Sequence, residues 1–245
     1  QWCFLIVGCL NYRGYFSEET ANHFAQELQV QDYDVFIGGV AAYSTLGWFD
    51  DPVLNTMLRR DSIYLAKVIF HELAHQKIYI KNDTAFNEAF ADTVALLGVQ
   101  RWLEHRGSYN TLHDFSSQQL RESQFVELVL NTRNKLDTLY KSTTSDSVKH
   151  LKKIDILDSM RDEYKLIRVN WDDNNAYDDW FSSELNNAKL MAVITYRHLI
   201  PGFMKLFTAA GSDIRDFFTQ VERLGRCSPD TRRHILETGQ TTFDC

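Results

Sequence analysis

Val68-Ile69-Phe70-His71-Glu72-Leu73-Ala74-His75-Gln76, followed by Phe86-Asn87-Glu88-Ala89-Phe90-Ala91-Asp92, is the pair of stretches around which the chain is organised. His71 and His75 stand four residues apart in a run that reads as helix. Both imidazoles therefore leave one face, about 6 Å apart along the axis. Two ring nitrogens at that spacing reach one zinc ion at about 2.0–2.1 Å each. Glu72, beside them, is placed to take a proton from a zinc-activated water. Glu88 opens a second apolar-periodic run and supplies an oxygen as third ligand. Ligand arithmetic gives a His2Glu catalytic zinc site with a fourth position for water.

The alternative is an exposed amphipathic helix carrying a His/Glu surface patch. It leaves unexplained why His71, Glu72 and His75 interrupt a run with Leu65, Val68, Ile69 and Leu73. Those apolar flanks predict an interior helix face. Asp92 follows Glu88 by four residues and so shares its helical face. An aspartate there accepts the second N–H of a ligand histidine and fixes its tautomer.

Length and composition describe an ordinary globular chain: 245 residues, 44% hydrophobic and 24% charged, enough for one large or two closely packed domains. A net charge of −7 argues against nucleic acid or an anionic membrane as the main partner. Cys3, Cys9, Cys227 and Cys245 show no CxxC spacing. Cys227 and Cys245 bracket a C-terminal segment and can form a disulfide in an oxidising compartment, or all four stay buried thiols. Within one extended strand, Cys3 and Cys9 are too far apart to bond each other. Residues 2–10 are apolar, and Leu5-Ile-Val-Gly-Cys9 has the look of a lipoprotein cleavage site. The run lacks a basic flank and is too short to span a bilayer, so it reads as a buried strand of a mature or truncated product.

In chain order, strands are expected over 4–10 and 35–43, the second weakened by Gly38-Gly39. Ser17 caps a helix to about Leu28, and Pro52 suits a short helix to Arg59. The metal helix is predicted over 62–79 and the glutamate helix over 85–106. The twelve residues between His75 and Glu88 suffice to set the two helices antiparallel across an ion. Helical spacing then predicts 117–140 and 147–169 as a hairpin, followed by helices over 184–198, 202–210 and 214–224. Pro229 signals one further turn. The acidic stretch Trp171 to Trp180 carries four aspartates. It reads as a solvated connector, a source of negative potential towards a substrate amine, or a calcium site without EF-hand spacing.

Hydrolysis through such a centre also needs a group to stabilise the oxyanion. Tyr196 and His198 are the first candidates, then Tyr177 and Tyr43. An extended peptide needs a strand edge, which Val40–Ser44 occupies just before the metal helix, with Ala42 and Tyr43 as pairing residues. Arg13 is a candidate for a substrate carboxylate. The remaining histidines have no ligand spacing.

HELAH with a downstream Asn-Glu-x-x-x-Asp resembles the gluzincin metallopeptidases. Four blocks together resemble the bacterial "putative aminopeptidase" family: Gly8 to Phe16, Ala42 to Pro52, Ile69 to Gln76 with Phe86 to Ala91, and Asn186-Asn-Ala-Lys-Leu190 with Thr195-Tyr196. The resemblance implies His71, His75 and Glu88 as ligands of one Zn2+ and Glu72 as the catalytic glutamate. It also implies an exported envelope or periplasmic protein with a peptide or protein substrate.

The expectation is thus an α+β, mostly helical chain. A zincin-like portion over 1–115 holds a small N-terminal sheet, the HExxH helix and the glutamate helix. A helical portion over 116–245 closes the cleft. The expected function is a zinc metallopeptidase with Glu72 as general base, foremost an aminopeptidase. The alternatives are an endopeptidase and a non-catalytic peptide-binding protein on the same fold.

Overall fold

In the computed structural model, residues 2–4, 8–10, 13–39 and 61–245 are described. Strands β1 (Trp2–Phe4) and β2 (Gly8–Leu10) pair antiparallel, with Trp2 opposite Leu10, Cys3 opposite Cys9 and Phe4 opposite Gly8. This corrects the expected α+β class. Within the strand predicted over 4–10, residues 8–10 pair antiparallel with residues 2–4, and residues 35–39 form no strand. A pair of three-residue strands cannot act as a layer on which a core is built. The fold is helical. The expected strand edge at Val40–Ser44, with Ala42 and Tyr43, and the short helix after Pro52 lie outside the described residues.

The chain forms two compact units, each assembled from separate segments. The first comprises 1–14, 38–112 and 195–245; the second comprises 15–37 and 113–194.

Two antiparallel helices dominate the first unit: α2 (Ser62–Lys77) and α3 (Thr84–His105). Each starts at an aspartate that accepts a backbone N–H of the first turn, Asp61 from Tyr64 at 2.8 Å and Asp83 from Phe86 at 3.3 Å. Asn82 takes the left-handed conformation (φ 65°) that the tight turn between them requires. The helices pack closely at Gly98, where a Cβ would lie 2.7 Å from the Phe70 ring. Helices α8 (Ile200–Ala209), α9 (Ile214–Arg226) and α10 (Pro229–Thr238) complete the unit. Pro229 therefore opens a ten-residue helix rather than a single turn. Phe86 and Phe90 of α3 meet Phe203 of α8 at ring distances of 5.1 and 5.9 Å, with Phe217, Val221, Leu224 and Leu236 around them. Cys227 and Cys245 form a disulfide with Cα atoms 5.1 Å apart.

Ile69 and Leu73, predicted to face inward, are exposed. The helix α2 instead buries Ala74 and His75, with Ile78 just beyond its end, because α3 lies against that side.

In the second unit, α1 (Glu18–Gln29) starts at the predicted Ser17 cap. The hairpin of α4 (Tyr109–Lys141) and α5 (Asp146–Val169) begins eight residues earlier than predicted, since nothing in Tyr109–Ser116 breaks a helix. Short α6 (Asp178–Ser182) and α7 (Asn187–Arg197) follow. Phe125, Val129 and Leu136 of α4 pack on Leu157, Met160 and Tyr164 of α5. The acidic stretch is part of this packing: Asp178 accepts from the Tyr164 hydroxyl at 2.6 Å and from Arg168 at 2.9 Å. Asp172 and Asp173 sit in left-handed turn conformations, φ 53° and 57°. The Asn186-Asn-Ala-Lys block is likewise structural in this unit. Asn186 donates to Val35 O at 3.0 Å, and the Asn187 N–H donates to Asp34 at 3.0 Å. Lys189 reaches the carbonyl of Trp180 and the hydroxyl of Ser183.

Candidate metal centre

Four side chains from α2 and α3 converge in the first unit. The Nε2 atoms of His71 and His75 are 3.1 Å apart. Glu88 brings Oε2 to 3.4 Å from His71 Nε2 and Oε1 to 3.8 Å from His75 Nε2. These ligand atoms all lie within 4.8 Å of one another, and no other such group of three is found among the described residues. In a tetrahedral site with bonds of about 2.0–2.1 Å, ligand atoms stand roughly 3.3 Å apart, so the spacing suits a single small cation.

The placement follows from the helices. An i,i+4 pair on α2 aims both rings at α3, and the Asn87 carboxamide fixes how α3 returns. Its oxygen accepts from Ile80 N and its nitrogen donates to Ile80 O, both at 2.8 Å. That pair of hydrogen bonds across the turn brings Glu88, the next residue, to the histidines. One turn on, Asp92 Oδ1 stands 3.0 Å from His71 Nδ1. The other oxygen, Oδ2, meets Arg197 Nε at 3.4 Å.

The electrostatics favour positive charge at this point. Burial alone pushes the His71 imidazole down, but the hydrogen bonds and charges of Asp92 and Glu88 carry it up to about 9. Burial dominates at His75, helped by its neighbour His71 and opposed by Glu88, and brings it down to about 4. For Asp92, burial works to raise the carboxyl, yet the His71 hydrogen bond, Arg197 and Lys67 hold it at about 2. A neutral imidazole, a glutamate and an orienting aspartate thus surround one point and stabilise a cation there. Two buried atoms, Glu72 Oε2 and His75 Nδ1, have no hydrogen-bond partner among the described residues. Such atoms cost free energy unless a ligand, ion or water engages them. The donor set of two imidazoles and a carboxylate fits a divalent metal ion.

His71, His75, Glu88 and Asp92 are therefore brought together. Tyr196 lies on α7 directly before Arg197, and its side chain is outside the described residues. His198 pairs with Glu237 at 3.9 Å, and Tyr177 stacks on Phe125 at 4.0 Å in the second unit. Arg13 is exposed. Two contributors escaped the sequence. Asn87 was legible only as part of the Asn-Glu pair, and Arg197 carries no spacing that ties it to Asp92.

Two histidines four apart, a glutamate from the facing helix and a carboxylate behind one histidine define a candidate metal-binding hydrolytic centre. The chain belongs to the family described as "Putative aminopeptidase", whose model matches residues 1–236. It is a family of peptidases, hydrolases that act on peptides. No curated protein and no solved structure matches the chain. No helix among the described residues is long and apolar enough to cross a membrane.

Proposed function

We propose that this chain is a zinc-dependent metallopeptidase of gluzincin type, acting as an aminopeptidase. The convergence of His71, His75 and Glu88 within 4.8 Å carries the reading. These three residues would hold one Zn2+, which supplies a Lewis acid and lowers the pKa of water towards ~7. Glu72 acts as general base. Its buried Oε2, without a hydrogen-bond partner among the described residues, takes a proton as water oxygen bonds to the scissile carbonyl carbon. The same carboxyl returns that proton to the amide nitrogen as the C–N bond breaks. Asp92 accepts the Nδ1–H of His71 and leaves its Nε2 free for the ion. Tyr196 is the oxyanion partner. Ala42 and Tyr43 pair with the peptide backbone, and Arg13 receives a substrate carboxylate.

The Cys227–Cys245 disulfide supports an oxidising location such as the periplasm or cell envelope. Metal analysis tests the ligand set. We expect one zinc per chain, lost in Glu88→Ala; zinc content unchanged by that substitution would sink the assignment. Glu72→Gln should keep the metal and abolish hydrolysis. The free amine separates exopeptidase from endopeptidase: cleavage of N-acetylated peptides at the rate of free ones would identify an endopeptidase instead.

A further inference from the structure

The Asp92 carboxylate is shared between two partners. Its Oδ1 stands 3.0 Å from His71 Nδ1, and its Oδ2 stands 3.4 Å from Arg197 Nε. Asp92 is only 8% exposed, so water is a poor substitute on either side. A buried carboxylate with a single partner can rotate about χ2 and present either oxygen. A guanidinium on the far oxygen removes that freedom, and its planar, permanent charge suits the task. Held this way, Asp92 keeps His71 Nδ1–H as a donor and its Nε2 directed at His75 and Glu88. Arg197 is the last residue of α7, which contributes no group to the ligand set.

We propose that Arg197 is a positioning residue for the metal centre, acting through Asp92 to orient His71 towards the ion. The proposal rests on the metal-centre reading above and extends it to a residue outside both ligand helices. Charge alone would act in the opposite direction. A cation near the ligands repels a metal ion, so if Arg197 acted only as a charge, its removal would tighten binding. Orientation and charge are therefore separable by sign.

The test is zinc affinity by chelator competition on the purified full chain, with the thermal unfolding of the metal-free protein recorded alongside. Binding of one zinc by the unmutated protein checks the underlying reading first; no binding would overturn that reading and this proposal with it. Arg197→Ala should then weaken zinc about tenfold, the loss expected for an orienting partner behind a ligand. Arg197→Lys, which keeps the charge without the fork, should fall between the two and also serves if the alanine variant folds poorly. In an Asp92→Asn background, Arg197→Ala should change affinity by less than about twofold, since the route through the carboxylate is gone. Tighter zinc binding in Arg197→Ala, or the same tenfold loss with and without Asp92, would overturn the proposal.

Discussion

Asn87 closes the turn ahead of its own helix by bonding both polar atoms of its carboxamide to Ile80, at 2.8 Å each. Asn87 is 2% exposed and Ile80 half-buried, so this is a partly buried pair of hydrogen bonds that ties the end of α2 to the start of α3. Removing it leaves the Ile80 N–H and C=O without these partners, at a cost of about 1–3 kcal/mol for each group left unsatisfied. Asn87→Ala should lower the thermal unfolding midpoint and weaken zinc binding together, because Glu88 is the next residue. Asn87→Asp keeps the acceptor and loses the donor, and should fall between. A variant that is destabilised yet binds zinc normally would show that the turn does not set the position of Glu88.

Gly98 lets α2 and α3 approach closely. A Cβ there would lie 2.7 Å from Cγ and Cδ2 of Phe70. Alanine in place of glycine favours a helix by up to about 1 kcal/mol. Overpacking costs about 1–3 kcal/mol, so the clash should win. Gly98→Ala is expected to lower stability, while the double change with Phe70→Leu should recover it. Denaturant unfolding of the wild type and the two variants measures this. No recovery would mean that Phe70 is not the obstacle.

Arg232 is held from several sides in the first unit. It is 5% exposed, donates to Asp83 from Nε at 2.9 Å and Nη2 at 2.8 Å, and reaches the carbonyls of Gly225 and Cys227. Its guanidinium also lies over the Phe86 ring, 5.6 Å from the centroid. Loss of one partner from such a pair costs about 3–5 kcal/mol. Arg232→Ala should therefore destabilise at least as much as reducing the Cys227–Cys245 bridge, whose 18-residue separation implies about 3 kcal/mol. Asp83→Ser, which retains the helix cap, should cost less than Arg232→Ala. The three unfolding midpoints rank the contributions.

Acid should loosen the second unit through Asp34. Burial works to raise this carboxyl, but the Lys153 ammonium at 2.7 Å and the Asn187 N–H hold it below its usual value of 3.8. A carboxyl lowered in the folded state contributes stability that is complete above its unfolded pKa and is lost as pH falls through the lower folded value. Asp34→Asn should reduce stability at neutral pH and flatten its decline below about pH 4. Unfolding free energies measured between pH 7 and pH 2 give the slopes. Parallel slopes for variant and wild type would remove Asp34 from the acid response.

The site was largely legible before the fold was. His71, Glu72, His75, Glu88 and Asp92 are related by helical spacing within a short stretch, and local geometry carries such spacings directly into space. The same locality gave the Ser17 cap and the helices predicted over 147–169 and 214–224, which the structure has at 146–169 and 214–226. The sheet was misread because an apolar run marks strand-forming residues without naming their pairing partners. Residues 8–10 turned back on 2–4 instead of pairing with 35–39. The inward face assigned to Ile69 and Leu73 failed for a related reason. Periodicity marks where apolar residues lie on a helix but not which neighbour covers them.

By itself, then, the sequence determined the helical character of the chain and the spacing of His71, His75, Glu88 and Asp92 along α2 and α3, since these depend on residues within one or two turns of each other. Only the tertiary structure decided which side of α2 is buried, that 195–245 group with 38–112, that Arg232 locks Asp83, and that Arg197 stands behind Asp92. The Arg232–Asp83 and Arg197–Asp92 contacts join residues more than a hundred positions apart. No local propensity encodes them. They form because burial of the whole unit brings the partners together and leaves each buried charge in need of its opposite.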